Sequence, residues 1–190
     1  MGSVLLIRHG EVSPQAEDYE HLSETGFAQA ARLGAWLSER IVPTGAVAGR
    51  MNRHRQTAEA CLAAMPEERR RCSELRLDDA FNEFDRAEIF AHGHGRPAVE
   101  RWISGRYPGD YRESWLSFRS RCLEGLHRLP TDTDSLVFTS AGAITAIAQE
   151  LLGISEAKSC ELMATLLNGG VSWLDHQTSG WRLRTLNFRP

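Results

Sequence analysis

Lysine is almost missing from this chain. Basic residues number 22, yet Lys158 alone carries an ammonium group. Any anion site must therefore be built from arginine, whose planar fork can grip two oxygens of a phosphate or carboxylate at once. Charge of one sign is also scarce, at a formal net of -3, which leaves no electrostatic footprint for nucleic acid. Paired cysteines are absent. Cys61, Cys72, Cys122 and Cys160 are widely separated, with no Cys-x-x-Cys, which points away from a zinc site or a disulfide framework. The expectation is reduced core thiols in a cytoplasmic protein. No apolar run approaches the roughly 20 residues of a membrane span. Met1-Gly2-Ser3 runs straight into a strand, so no signal peptide is expected, and Leu6 breaks the myristoylation pattern. At 190 residues the chain suits one domain, 1–190, with a core of ordinary size. No repeat or low-complexity tract divides it, and oligomeric state leaves no mark.

What is present centres on Leu5-Leu6-Ile7-Arg8-His9-Gly10-Glu11. The short, unbroken apolar run Val4 to Ile7 reads as a strand buried on both faces, as in a parallel sheet. In such sheets ligands bind beyond the carboxyl ends of the strands, which is where Arg8 and His9 would be delivered. Gly10 permits a sharp turn or a close approach to a ligand. A guanidinium beside an imidazole suggests phosphate chemistry, since a neutral imidazole nitrogen can be nucleophile, base or ligand. Val12 to Ser23, broken by Pro14, reads as a loop, and in it Ser13 either donates to a bound oxyanion or serves only its turn.

Ser23 or Thr25 caps a helix to about Arg40, with Phe27, Ala30, Ala31 and Leu37 as its core face. Ala46 to Ala48 is a second strand, followed by a helix from Asn52 to Met65. Arg53 lies in the first turn of that helix, just past a strand end, and is favoured over Arg50 and Arg55 for the anion site. Leu75 to Leu77 reads as an edge strand. Phe81-Asn82-Glu83-Phe84 sets a carboxylate between aromatic rings, where desolvation raises its pKa toward the range of a general acid.

Residues 87–111 hold His92, His94, Arg96, Arg101, Trp102, Arg106 and Tyr107 among glycines. They read as a polar excursion that covers the site and sets substrate choice. His92-Gly93-His94 lacks a nearby third ligand, so no metal is expected. A helix with Trp115, Phe118, Cys122, Leu126 and Leu129 on one stripe follows. The strand Ser135 to Thr139 then leads through Ser140-Ala141-Gly142 into a helix ended by Gly153. Strand, small residues and helix make an oxyanion site from free amides and the positive helix end. A helix over 156–166 and a hairpin of strands 171–174 and 181–186 complete the chain.

These motifs resemble the histidine phosphatase superfamily, the phosphoglycerate-mutase-like proteins. Leu6-Ile7-Arg8-His9-Gly10-Glu11 is similar to the family signature, Arg53-x-x-Gln56-Thr57-Ala58 to its second motif, and Phe81-Asn82-Glu83 to the loop that supplies its acid. The resemblance covers most of the chain, in matching order. It implies a three-layer α/β/α sandwich around a mostly parallel sheet. It also implies a mechanism without cofactor or metal: His9 attacks phosphorus, Arg8 and Arg53 clamp the oxygens, and Glu83 protonates the leaving group and later activates water. His9 then needs its other nitrogen held by a backbone carbonyl.

One departure stands out. Members usually carry Ser-His-Gly where this chain has Ser140-Ala141-Gly142, and losing one preorganised donor costs on the order of 3 kcal/mol. Ser140 and the helix-end amides remain to hold an oxygen there, and His54, His92 or His94 swinging in is the less favoured alternative. The resemblance thus leaves open a metal-independent phosphomonoester hydrolase, a phosphate-binding protein without turnover, and, ranked last, a mutase. The expected partner is a phosphorylated small molecule or phosphoprotein, with neither nucleic acid nor membrane.

Overall fold

A computed structural model of the chain describes residues 2–13, 20–106 and 110–190. Pro14 and Tyr107, singled out in the sequence, lie outside the described residues. The strands are β1 (Ser3–Arg8), β2 (Gly45–Ala48), β3 (Leu75–Leu77), β4 (Ser135–Thr139), β5 (Val171–Gln177) and β6 (Gly180–Phe188), in one sheet of order β3-β2-β4-β1-β5-β6. β1 to β4 run parallel, while β5 is antiparallel to β1 and forms the final hairpin with β6. The helices among the described residues are α1 (Glu24–Ser38), α2 (Asn52–Ala63), α3 (Arg86–Ala91), α4 (Gly95–Ile103), α5 (Trp115–His127), α6 (Ala141–Leu152) and α7 (Glu156–Thr165).

Three layers follow from alternation along the buried strands. Leu5 and Ile7 of β1 meet α1 and α2 on one face, in a core that includes Leu33, Leu37, Ala58, Cys61 and Phe138. Val4 and Leu6 face the other way, toward Phe118, Leu126, Ile144 and Ile147 of α5 and α6. Each such side chain contributes about 1.5–3 kcal/mol on leaving water. This is the three-layer α/β/α sandwich around a mostly parallel sheet that the resemblance implied.

Two details differ from the sequence reading. Phe27 is 42 % exposed, and the buried stripe of α1 is instead Gly26, Ala30, Leu33, Gly34 and Leu37. The helix comes so close to its neighbours that only glycines fit there. A Cβ on Gly10 would lie 2.5 Å from the carbonyl oxygen of Gly26, so Gly10 makes room for α1. The segment 87–111 also contains regular structure. α3 and α4 form within it and send Ile89, Ala98, Trp102 and Ile103 into the core, where Trp102 packs on Phe84 with ring centroids 4.8 Å apart.

Candidate active site

β2, β4 and β1 are neighbours in the sheet, so their carboxyl ends deliver Gly49, Ser140 and His9 side by side. His9 is 2 % exposed. Its Nδ1 lies 2.8 Å from the carbonyl oxygen of Gly10. That oxygen can only accept, so Nδ1 carries the proton and Nε2 keeps its lone pair. Burial, then the charge of Arg53, and more weakly those of Arg8 and Arg86, hold the His9 pKa down to about 3, against the opposing pull of the Gly10 carbonyl. The ring is therefore neutral at ordinary pH.

Backbone and side-chain bonds fix this ring from both ends of the chain. The amide of His9 donates to Thr139 O at 2.9 Å, and that of Gly10 to Thr57 Oγ1 at 3.0 Å. Asn168 Nδ2 donates to the carbonyls of His9 and Gly10 at 3.0 and 3.1 Å. Gly169, in the left-handed region at φ 69°, turns its amide onto Arg8 O and His9 O. Asn168 was not legible in the sequence, because it sits 158 and 159 residues from the groups it holds.

The charges of two guanidinium groups act on the imidazole. Arg8 donates through Nη1 to Leu166 O, and its buried Nε has no hydrogen-bond partner among the described residues. Arg53 is 2 % exposed and pairs through Nη1 with Glu20 Oε1 at 2.9 Å. Glu20 Oε2 also accepts the amide of Asn52, capping α2. Arg50 instead meets Asp79 on the surface at 3.1 Å, and Arg55 is exposed.

Glu83 reaches the site from the loop after β3. Its Oε2 accepts the amide of Gly142 at 3.2 Å, in the first turn of α6, and its Oε1 accepts that of Phe84 at 3.2 Å. Burial pushes its pKa up, against those two amides and the charges of Arg53 and Arg8, which pull it down. Arg121, unmarked in the sequence, clamps this loop. It donates to the carbonyls of Asp79, Ala80 and Asn82 while its other nitrogens make a bidentate pair with Glu113 at 2.8 Å. Thr139 Oγ1 adds a bond to Phe81 O at 2.7 Å.

The structure thus brings Arg8, His9, Arg53, Glu83, Ser140 and Gly142 into one place, with Ala141 beside them as the first residue of α6. Ser13 is held in its loop by an amide bond to His21 O at 2.8 Å. His92 and His94 are exposed. His54, by contrast, is wholly buried, its ring 5.8 Å from that of His9. Among the described residues no three His, Cys, Asp or Glu side chains gather as metal ligands, and no helix is long and apolar enough to cross a membrane. The arrangement gathers one imidazole lone pair, two guanidinium groups and a buried carboxyl group.

The profile of the histidine phosphatase superfamily (branch 1) matches residues 4–189. No curated protein matches in sequence. Among solved structures, Bacillus stearothermophilus YhfR is similar with a TM-score of 0.74 at 16 % identity, over 97 % of this chain and 96 % of that one. Phosphoserine phosphatase from Entamoeba histolytica, in complex with 3-phosphoglyceric acid, has a TM-score of 0.73 at 19 % identity, over 99 % and 98 %. A mycobacterial glucosyl-3-phosphoglycerate phosphatase in complex with VO3 has a TM-score of 0.65 at 22 % identity, over 97 % and 98 %.

Proposed function

Because this chain belongs to the histidine phosphatase superfamily, branch 1, we propose that it is a metal-independent phosphomonoester hydrolase acting through a phosphohistidine on His9. The observation that carries the reading is the neutral, buried imidazole whose Nδ1 is tied to Gly10 O, within reach of the charges of Arg53 and Arg8. Nε2 attacks phosphorus and the ester oxygen leaves with the proton of Glu83, whose raised pKa suits it to hold one. Glu83, now a carboxylate, takes a proton from water, which attacks the phosphohistidine and releases inorganic phosphate. Arg8 and Arg53 balance the charge spread over the phosphoryl oxygens, and the amides at the start of α6 add their dipole.

The substrate class is a phosphorylated small molecule or a phosphoprotein. The segment 87–111 is proposed to cover the site and set that choice, since it follows directly on Arg86, whose charge already reaches His9. Three buried cysteines and the half-buried Cys72, all free, fit a cytoplasmic protein. Ala141 favours a second reading, a phosphate ligand bound without turnover, since its methyl group donates nothing to an oxygen.

Trapping separates the two. Incubation with a phosphomonoester in the presence of a chelator, followed by rapid quenching, is expected to give a phosphoryl label on His9 that is lost in acid and kept in alkali. Turnover that vanishes with the chelator and returns with a divalent cation would overturn the hydrolase reading. Binding without label would favour the second. Asn168→Leu is expected to lower kcat roughly 10- to 100-fold with KM little changed, because the ring loses its alignment rather than its charge. Steady-state kinetics on p-nitrophenyl phosphate measures this.

A further inference from the structure

His54 has no part in the mechanism above, yet it occupies the site. It is the third residue of α2, wholly buried, with its ring 5.8 Å from that of His9. The ring fits there because residue 49 is glycine: a Cβ at that position would lie 2.3 Å from His54 Nδ1. Its Nε2 is 2.6 Å from Ser140 Oγ, whereas Nδ1 has no hydrogen-bond partner among the described residues.

Ser140 is unusual in the complementary way. It stands at the N-cap of α6, where a serine hydroxyl commonly accepts one of the first helical amides. Here it makes no such bond. Its oxygen is turned to His54 instead, and the amide of Gly142 goes to Glu83. A buried histidine and a buried serine have given their bonding capacity to each other at the edge of an anion site.

The proton can lie on either nitrogen of a neutral ring. Placed on Nδ1, it would be a buried N–H without an acceptor, a rare and costly state, and Nε2 would draw the hydroxyl proton away from the site. Placed on Nε2, it is donated to Ser140 Oγ, and the hydroxyl proton is left to turn toward an oxyanion. We propose that His54 is a positioning residue that orients the Ser140 hydroxyl as a donor to the transferring phosphoryl group, so that the second imidazole of this site works from α2 through a serine. The proposal rests on the hydrolase reading and deepens it. It also supplies a side-chain donor beside Ala141, whose own methyl group donates nothing.

The test compares His54→Phe, which keeps a ring without N–H, His54→Gln, whose amide can again donate to Ser140, Ser140→Ala, and the double variant His54→Phe/Ser140→Ala. With p-nitrophenyl phosphate, His54→Phe and Ser140→Ala are each expected to lower kcat by on the order of 10- to 100-fold with KM little changed. The double variant should be no slower than Ser140→Ala alone, and His54→Gln should recover most of the rate. Losses that multiply in the double variant, or wild-type kcat in Ser140→Ala, overturn the proposal. Should His54→Phe fail to fold, Ser140→Ala and His54→Gln still decide it. Absence of hydrolysis in the wild type would sink the hydrolase reading alone. The pair is then read from orthovanadate affinity, which must fall in Ser140→Ala and be unchanged between that variant and the double; equal affinity in wild type and Ser140→Ala overturns it.

Discussion

His9→Ala is expected to lose at least about 10⁴-fold in kcat/KM on p-nitrophenyl phosphate, equivalent to about 5 kcal/mol of transition-state stabilisation. The size of the loss follows from geometry. Among the described residues the other imidazole beside His9 is the buried His54, and its Nε2 is turned to Ser140. Removing the nucleophile therefore removes the covalent route, leaving the cations to polarise the ester for attack by bulk water. The label trapped from substrate should vanish as well, while phosphate binding survives on the two guanidinium groups. Equal rates in variant and wild type would end the case for a phosphohistidine.

Acid should unfold this protein well before its carboxylates are all protonated. The His9 pKa is held at about 3 in the folded chain against 6.5 for the free side chain, and that of His54 is also well below the ordinary value, through burial and the charges of His9 and Arg53. The unfolded chain thus takes up protons below about pH 6.5 that the folded chain refuses, so stability falls as the pH drops from there toward 3. For His9 alone the loss reaches about 2 kcal/mol by pH 5, and His54 adds in the same direction. Glu83 works against them. Its raised folded pKa favours the folded state as the pH falls through that range. Two imidazoles outweigh one carboxyl. Urea unfolding at pH 7 and pH 5 measures the difference, and a His9→Gln variant should show a smaller one. Equal midpoints at the two pH values would mean that the rings are not held neutral.

The strands were legible because buried parallel strands are written as short apolar runs, and β1 and β4 stand out as such. The residues Arg8, His9, Arg53 and Glu83 were legible because each follows directly on a strand end or lies in a short local motif. What escaped was of two kinds. Periodicity scores apolar side chains, so it put Phe27 inside and passed over Gly26 and Gly34, where α1 presses against neighbouring backbone. In 87–111 glycines and histidines interrupt the period, which hid α3, α4 and the core role of Trp102. The supporting contacts escaped for another reason. Asn168 on His9, Arg121 on the Glu83 loop, Glu20 on Arg53 and His54 on Ser140 join residues 159, 39, 33 and 86 apart, and linear spacing carries no trace of them.

The Asn168-Gly169 turn has a consequence for how the protein comes into being. During synthesis His9 emerges 159 residues before Asn168, whose amide group steadies it. A nascent polypeptide stalled before Asn168 holds the His9 ring without the restraints that aim it. Order of assembly thus delays the alignment of this ring until the Asn168-Gly169 turn has been made.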